Sequence, residues 1–254
     1  MKLIYAFLLV MAMALMIATS GFCAELVAAY SFDDGSSKMA KDDTGNGHDG
    51  EIKDANVVNG KFGKALEFDG STSQVEIPTD DALNFVDGVS VEAWVNPSSY
   101  NALSAVAQKW GDTSNRRQYL LCFVVDKLNF YISGTGASWP AASGATAVAT
   151  GEWTHIAGTY DIKSIKAYVN GELDAEIANT EGLFGSDLPA WIGGYGPDDE
   201  FGDNRHFPGI VDEVRYWNGA LTEEEIQAGM AGSVSPVELS GKMATRWGSI
   251  KNVD

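Results

Sequence analysis

The segment 207–227, FPGIVDEVRYWNGALTEEEIQ, constrains this chain more than any other. Read with the two-residue period of a strand, Ile210, Asp212, Val214 and Tyr216 project to one face. Val211, Glu213, Arg215 and Trp217 project to the other. That reading sets Asp212 in an otherwise apolar row. A buried carboxylate is costly unless it is paired, well hydrogen-bonded or bound to a metal. Asn218-Gly219 then breaks the strand, and Thr222-Glu-Glu-Glu225 has the spacing of a capping box that opens a short helix over 223–230. An acid inside the last core strand, followed by a turn and one capped helical turn, is an uncommon combination.

Short alternating runs separated by Gly, Asn and Asp turns predict strands over 26–32, 64–69, 73–77, 89–95, 104–109, 118–125, 128–133, 153–160, 164–169, 172–178, 188–193 and 208–217. Asp126-Lys127 and Asn170-Gly171 read as tight hairpin turns, Asn-Gly the stronger because both residues accept positive φ. The helix at 223–230 is the one helix the pattern supports. Residues 134–150 are small and flexible apart from Trp139, and 195–206 form a polar, acidic loop. Loops of this kind on a rigid sandwich often carry binding.

Four stretches, in order, resemble the LamG-like jelly-roll domains of the concanavalin A-like lectin/glucanase superfamily. They are Val27-Ala-Ala-Tyr-Ser-Phe-Asp-Asp34 with Asp43-Thr-Gly-Asn-Gly-His-Asp-Gly50; Gly63-Lys-Ala-Leu-Glu-Phe-Asp-Gly70 with Val89-Ser-Val-Glu-Ala-Trp-Val95; Gly151-Glu-Trp-Thr-His-Ile-Ala-Gly-Thr-Tyr160 through Tyr168-Val-Asn-Gly171; and the closing segment 207–227. The resemblance implies an all-β fold: a two-sheet antiparallel jelly-roll sandwich with one short C-terminal helix, covering 25–232. It implies much less about function, because folds of this kind host many.

Residues 1–24 read as a secretory signal peptide. Lys2 is the charged start, residues 3–18 are almost unbroken apolar, and a small-residue stretch leads to Ala24. The apolar run is slightly short for a membrane span, and polar domain sequence follows at once. Lipid anchoring at Cys23 is the other reading, but Phe22 directly before the cysteine departs from a lipobox. Cleavage after Ala24 removes only Lys2 among the charges, leaving 16 Lys and Arg against 35 Asp and Glu, a net −19. Such a surface excludes nucleic acid and anionic lipid as partners, both of which need basic patches. Only Cys122 then remains, within the apolar run 119–125, which predicts a buried structural thiol. Residues 233–254 read as a linker and a tail too short for a domain.

Calcium takes six to eight oxygen ligands. Asp33 follows the first strand, Asp43 and Asn46 lie in a glycine-rich turn, and Asp212 comes from the last strand. The resemblance implies that the first and last strands lie together, which makes Asp33, Asp43, Asn46 and Asp212 a candidate structural Ca2+ site. The competing reading gives each residue an Asx-turn or capping role. Residues 198–203 lack the ligand alternation of an EF-hand. Glu172-Leu-Asp-Ala-Glu176 resembles the catalytic strand of the glucanase branch, where paired carboxylates act as nucleophile and acid. Here Leu173, Ala175 and Ile177 read as the core face and the acids as solvated, without sugar-cleft aromatics beside them. His48, His155 and His206 show no zinc spacing.

Trp94, Trp153, Trp191 and Trp217 occupy strand-like positions and are expected to pack between the sheets. Loop aromatics are the better sugar-stacking candidates. The candidate ligand-binding residues are therefore Tyr100, Trp139, Tyr195 and Phe201, with Asp203 and Arg205 nearby to supply hydrogen bonds. The resulting expectation is a secreted, noncatalytic module that binds an extracellular carbohydrate or glycoprotein. A protein–protein adhesion module and a glycoside hydrolase using Glu172, Asp174 and Glu176 are the alternatives.

Overall fold

The computed structural model describes residues 24–112, 115–196 and 204–232. The signal segment, Phe201, Asp203 and the tail from 233 lie outside the described residues. Two antiparallel sheets face each other. The first runs β14 (Glu172–Ala178), β13 (Ser164–Val169), β12 (Thr154–Tyr160), β7 (Val89–Pro97), β16 (Pro208–Asn218), β5 (Lys64–Asp69) and β4 (Asn56–Asn59), with β1 (Glu25–Tyr30) paired to the far half of β16. The second runs β11 (Ala141–Ala147), β10 (Lys127–Ile132), β9 (Tyr119–Val124), β8 (Leu103–Lys109), β15 (Ala190–Ile192), β6 (Gln74–Ile77), β3 (Gly50–Lys53) and β2 (Met39–Ala40). Among the described residues the one α-helix, α1 (Glu223–Gly229), follows β16. The capping box is present: Thr222 Oγ1 accepts from the Glu225 amide at 3.2 Å, and the Thr222 amide donates to Glu225 Oε2 at 2.8 Å.

Alternation explains the main core. Val89, Val91, Ala93 and Val95 of β7 meet Phe130 and Ile132 of β10 and Leu121 and Phe123 of β9 between the sheets. The sheets approach closely at Gly158, where a Cβ would sit 2.2 Å from the Phe130 ring, so only glycine fits. The Asn170-Gly171 turn has φ of 51° and 77°, as a two-residue hairpin of this type requires.

Four departures from the sequence reading have physical causes. First, β16 carries a bulge. Asp212 pairs with Trp94 but Arg215 pairs with Glu92, and Glu213 takes φ 51°. One extra residue inverts the faces beyond it. Val211, Val214 and Tyr216 therefore enter the core, while Asp212, Arg215 and Trp217 share the outer face; Asp212 does not stand in the row of Val214 and Tyr216. Second, β14 carries a bulge at Asp174, since Tyr168 pairs with Leu173 and Ala167 with Ala175. Leu173 is thereby turned out of the core to 45% exposure.

Third, residues 141–147 of the expected flexible segment form β11, and β2, β3 and β4 are further strands with too few apolar alternations to be seen in sequence. The β9–β10 turn also sits one residue earlier than expected, at Val125-Asp126, with Val125 at φ 58°. Fourth, the main core holds no tryptophan among the described residues. Trp94 and Trp217 cover the outer face of the first sheet, and Trp191 lies on the outer side of the second, opposite Glu76 and Gln108. Trp153 precedes β12 and is half-buried.

Candidate functional site

The outer face of the second sheet carries its own apolar cluster, Ala105, Trp110, Leu120, Cys122 and Tyr195, bordered by Leu103, Val124 and Tyr131. The Cys122 thiol is wholly buried there, and burial pushes its pKa up; it is structural, as its apolar context predicts. Above this cluster opens a cleft of about 170 Å³. Its floor is Leu103, Leu120 and Tyr131 from three adjacent strands. Its walls come from the β8–β9 connection, the loop before β11, and the segments that leave β15 and enter β16.

One buried carboxylate joins those walls. Asp112 Oδ1 accepts from Trp110 Nε1 at 3.0 Å and from Arg117 Nε at 2.9 Å. Its Oδ2 accepts from the Tyr195 hydroxyl at 2.9 Å and from Arg205 Nη1 at 2.8 Å. Two cations and two neutral donors therefore saturate a single acid, the condition under which a buried charge is tolerated. Burial first, and the Asp112 charge second, push the Tyr195 hydroxyl well above the ordinary phenol range. That phenol stays a hydrogen-bond donor at any physiological pH. Burial likewise pushes Tyr131 up to about 12.

The guanidinium of Arg117 lies 4.9 Å from the Trp139 ring centre and 5.9 Å from that of Trp110. Arg205 lies 5.2 Å from the Tyr195 ring. These are cation–π distances. Arg117 also donates to the Ala137 carbonyl at 3.3 Å, which ties the β8–β9 connection to the Trp139 loop. Gly136, at φ 78°, lets the two backbones touch: a Cβ there would lie 2.0 Å from the Asn115 carbonyl oxygen. Ser138 donates to Glu181 Oε2 at 2.7 Å, and Thr135 Oγ1 accepts from the Ala137 and Ser138 amides. The loop that composition marks as flexible is thus held at several points. Trp139 is nevertheless 60% exposed, whereas Trp110 and Tyr195 are 3% and 5% exposed. One large ring stands free on a fixed frame.

Of the sequence candidates, Trp139, Tyr195 and Arg205 come together here. Tyr100 does not; its hydroxyl donates to the Val148 carbonyl at 2.8 Å and its ring packs on Phe123. Phe201 and Asp203 lie outside the described residues. Trp110, Asp112, Arg117, Leu103, Leu120 and Tyr131 were not singled out from sequence. A tryptophan in a polar connection, Lys109-Trp-Gly-Asp112 followed by Arg116-Arg117, was the available signal.

The candidate metal residues lie on the first sheet, around β1, β16 and the β4–β5 turn. Asp212 is fully buried; its Oδ2 accepts from the Phe62 amide at 3.0 Å and its Oδ1 from the Glu213 amide at 2.8 Å. Asp33 Oδ1 accepts from the Lys64 amide at 2.7 Å. Asp33 and Asp212 thereby clamp the same β4–β5 turn. Asp43 Oδ2 accepts from the Ser31 amide at 2.8 Å, and the Asn46 side-chain amide donates to the Val27 carbonyl at 2.9 Å, both along the first strand. Burial first, with the Glu213 charge adding, pushes the Asp212 carboxyl up to about 7 against the backbone donors of Phe62, Glu213 and Lys61. The oxygen chemistry fits a hard cation. The side chains do not converge on one, since no three acidic, His or Cys groups among the described residues could hold a metal ion together.

The acids of β14 also separate. Asp174 accepts from the Ala145 and Thr146 amides and from Thr146 Oγ1 at 2.6 Å, so it stitches the edges of the two sheets. Glu176 stands 3.5 Å from Lys166 on the outer face. Glu172 pairs with Val169, whose side chain packs on the main core, so the bulge puts Glu172 and Glu176 on different sides. A polar depression of about 310 Å³ beside Asn170, Glu172 and Asp174 contains no aromatic ring.

Two packed antiparallel sheets with one terminal helix define a jelly-roll sandwich of the concanavalin A-like type. The family model Laminin_G_3, of the concanavalin A-like lectin/glucanases superfamily, matches residues 69–227, and the chain belongs to that family. Among curated proteins, none matches the sequence. Among solved structures, domain 4 of AbnA, a GH43 extracellular arabinanase from Geobacillus stearothermophilus in complex with arabinotriose, is similar, with TM-score 0.63 and 26% identity over 81% of this chain and 98% of that one. The binding domain of Paraclostridial Mosquitocidal Protein 1 is similar in fold, with TM-score 0.66 and 15% identity over 80% of this chain and 51% of that one. So is the botulinum neurotoxin serotype G binding domain, with TM-score 0.61 and 13% identity over 80% and 50%. The chain spans about half the length of these two toxin domains. Among the described residues, no helix is long and apolar enough to cross a membrane.

Proposed function

We propose that this domain is a secreted, noncatalytic glycan-binding module whose ligand sits in the Trp139 cleft. The observation that carries the reading is one exposed indole held by Arg117 above a floor of apolar side chains, with every wall joined through Asp112. Sugar rings offer C–H faces to an aromatic surface, and a preformed cleft with few polar groups is the usual form of a small-ligand site. The similarity to an arabinanase domain in complex with arabinotriose points to the same class of ligand. The acids of β14 favour binding over hydrolysis, because the bulge puts Glu172 and Glu176 on different sides of the strand, whereas a catalytic pair flanks one glycosidic bond. A glycan array probed with the full chain tests the reading. Binding should be selective, and Trp139→Ala should lose at least tenfold in affinity at an unchanged melting temperature. Full affinity in Trp139→Ala would move the site elsewhere; binding only to a protein partner would make the domain an adhesion module.

Calcium is a second, separate part of the proposal. Its support is the buried Asp212 carboxylate, which has backbone donors but no ion-pair partner among the described residues. Asp33 and Asp43, which accept from the Lys64 and Ser31 amides, would have to turn toward Asp212 to supply further oxygens. A cation that binds only the native state raises stability once its concentration exceeds its dissociation constant. EDTA should therefore lower the melting temperature of wild type and leave Asp212→Asn unchanged. Equal melting with calcium and with EDTA removes calcium and leaves Asp33, Asp43, Asn46 and Asp212 as caps.

A further inference from the structure

We infer that the cleft recognises a single sugar residue at the end of a chain, and not a run of internal residues; this rests on the glycan reading of the same site. Volume is the first argument. A cavity of about 150 Å³ is known to hold one benzene ring, whereas sites for larger ligands span about 300–1,000 Å³. The cleft, at about 170 Å³, is of the one-ring size.

The stacking surfaces are the second argument. Binding along an internal run requires ring platforms spaced along the groove. Among the described residues that line the cleft, only Trp139 is open. Trp110 and Tyr195 are buried, and their polar atoms are both spent on Asp112. The Tyr131 ring packs edge-on against Trp110, 6.0 Å between centres. One platform holds one residue.

The wall is the third. Trp139 rests on Arg117, Arg117 on Asp112, and Asp112 on Tyr195 and Arg205. This gives an unbroken chain of contacts from one side of the cleft to the other. Both Asp112 oxygens already have two donors each, so the wall does not open to accept ligand hydroxyls. The two guanidinium groups within it also set the ligand class apart from a cation: four aromatic residues alone would suit a quaternary ammonium, but fixed positive charge beside them opposes one. A neutral sugar terminus meets both conditions.

The test compares homologous series on the array and then in solution. Methyl glycosides, disaccharides and trisaccharides of each sugar are titrated with the full chain, with arabinose, arabinobiose and arabinotriose included. Within the series that binds, the affinities for one and three residues should agree within about threefold. A linear polymer of the same sugar should bind one protein per chain end, whatever its length. An affinity that climbs more than tenfold from one residue to three, or several proteins bound along each chain, overturns the chain-end inference and leaves the glycan reading standing. Absence of binding to every glycan overturns both.

Discussion

The outer faces of the two sheets carry the same ingredients and use them differently. On the first sheet, Glu92 accepts from Arg215 at 3.3 Å and from Trp217 Nε1 at 3.1 Å, with His155 Nε2 3.4 Å away. Arg215 also binds Glu213 and donates to the carbonyls of Gly229 and Gly232 at 3.0 Å each. Helix α1 covers this face: Ile226 and Leu221 pack with Trp217 and Tyr168. On the second sheet, Asp112 takes the place of Glu92, Arg117 and Arg205 that of Arg215, and Trp110 that of Trp217. Among the described residues no helix covers them, and Trp139 is 60% exposed. An acid saturated by arginine and indole is thus a closure under the helix of the first sheet and, on the proposed reading, a ligand frame on the second. The cover, more than the cluster, separates structure from function.

The sharpest way to break that comparison is to remove the cation from the covered face. Burial pushes the Glu92 carboxyl up, but His155 and Arg215 outweigh it and hold the group below its ordinary range. Arg215→Met leaves Glu92 and Glu213 buried without that charge, and it frees the carbonyls of Gly229, at the end of α1, and Gly232. Removing one partner from a buried pair costs about 3–5 kcal/mol. Urea unfolding should show a loss of that order, with α1 undocked in hydrogen exchange. A loss under about 1 kcal/mol would mean the face is held by Trp217 and Ile226 alone.

The matching change on the open face should behave differently. Asp112→Asn keeps the shape but leaves Arg117 and Arg205 less well compensated. We expect a smaller stability loss, on the order of 1–3 kcal/mol, because this cluster borders an open cleft. Ligand affinity should fall by tenfold or more, since Trp139 loses the support behind it. Equal stability losses in Asp112→Asn and Arg215→Met, with affinity intact, would erase the distinction between the two faces.

Lys109 supplies a third case, a covered charge: it is fully buried, and its Nζ has no hydrogen-bond partner among the described residues. Burial lowers its pKa from 10.5 to about 8, against the raising effect of Asp80, Asp81 and Asp187. Below about pH 8 the folded state carries the full cost of the buried ammonium. Between about 8 and 10.5 the unfolded chain binds more protons than the folded one, so this group's contribution to stability rises with pH. Lys109→Met should therefore stabilise the domain at pH 7, by on the order of 2 kcal/mol. The gain should shrink as pH approaches 10.5. A gain constant between pH 7 and 10 would show that packing, not charge, is responsible.

These contrasts also mark where sequence reading reaches its limit. Alternation located β7, β12, β13 and β16, and Asn170-Gly171 and Thr222-x-x-Glu225 located their turn and cap, because each signal is local and each residue type has one physical use there. The bulges at Glu213 and Asp174 were not visible. Each adds one residue, and a single residue reverses inside and outside for everything beyond it. That is why Asp212 was set in the core row and Leu173 in the core. Strand β11, Ala-Ala-Ser-Gly-Ala-Thr-Ala, lacks the large apolar residues that reveal a period. The cleft was half legible. Trp139, Tyr195 and Arg205 were picked as loop residues, but Asp112 draws together segments that are up to 93 positions apart, and no local pattern encodes such a meeting.

The smallest expected effect concerns the acids of β14, and it bears on catalysis. Glu172 is exposed and has no ion-pair partner among the described residues, and Glu176 faces Lys166 at 3.5 Å on the surface. An exposed pair of this kind is worth about 0–1 kcal/mol, and surface substitutions usually stay within about 0.5 kcal/mol. Glu172→Gln and Glu176→Gln should each leave stability and ligand affinity within those bounds. Asp174→Asn should cost more, because its carboxylate accepts from two backbone amides and a hydroxyl of β11. This ranking is opposite to that of a hydrolase, in which the glutamates would matter most and for turnover, not stability. Reducing-sugar release from arabinan or any β-glucan by wild type, abolished in Glu172→Gln, would replace the binding module with an enzyme and move attention from the Trp139 cleft to the polar depression at β14.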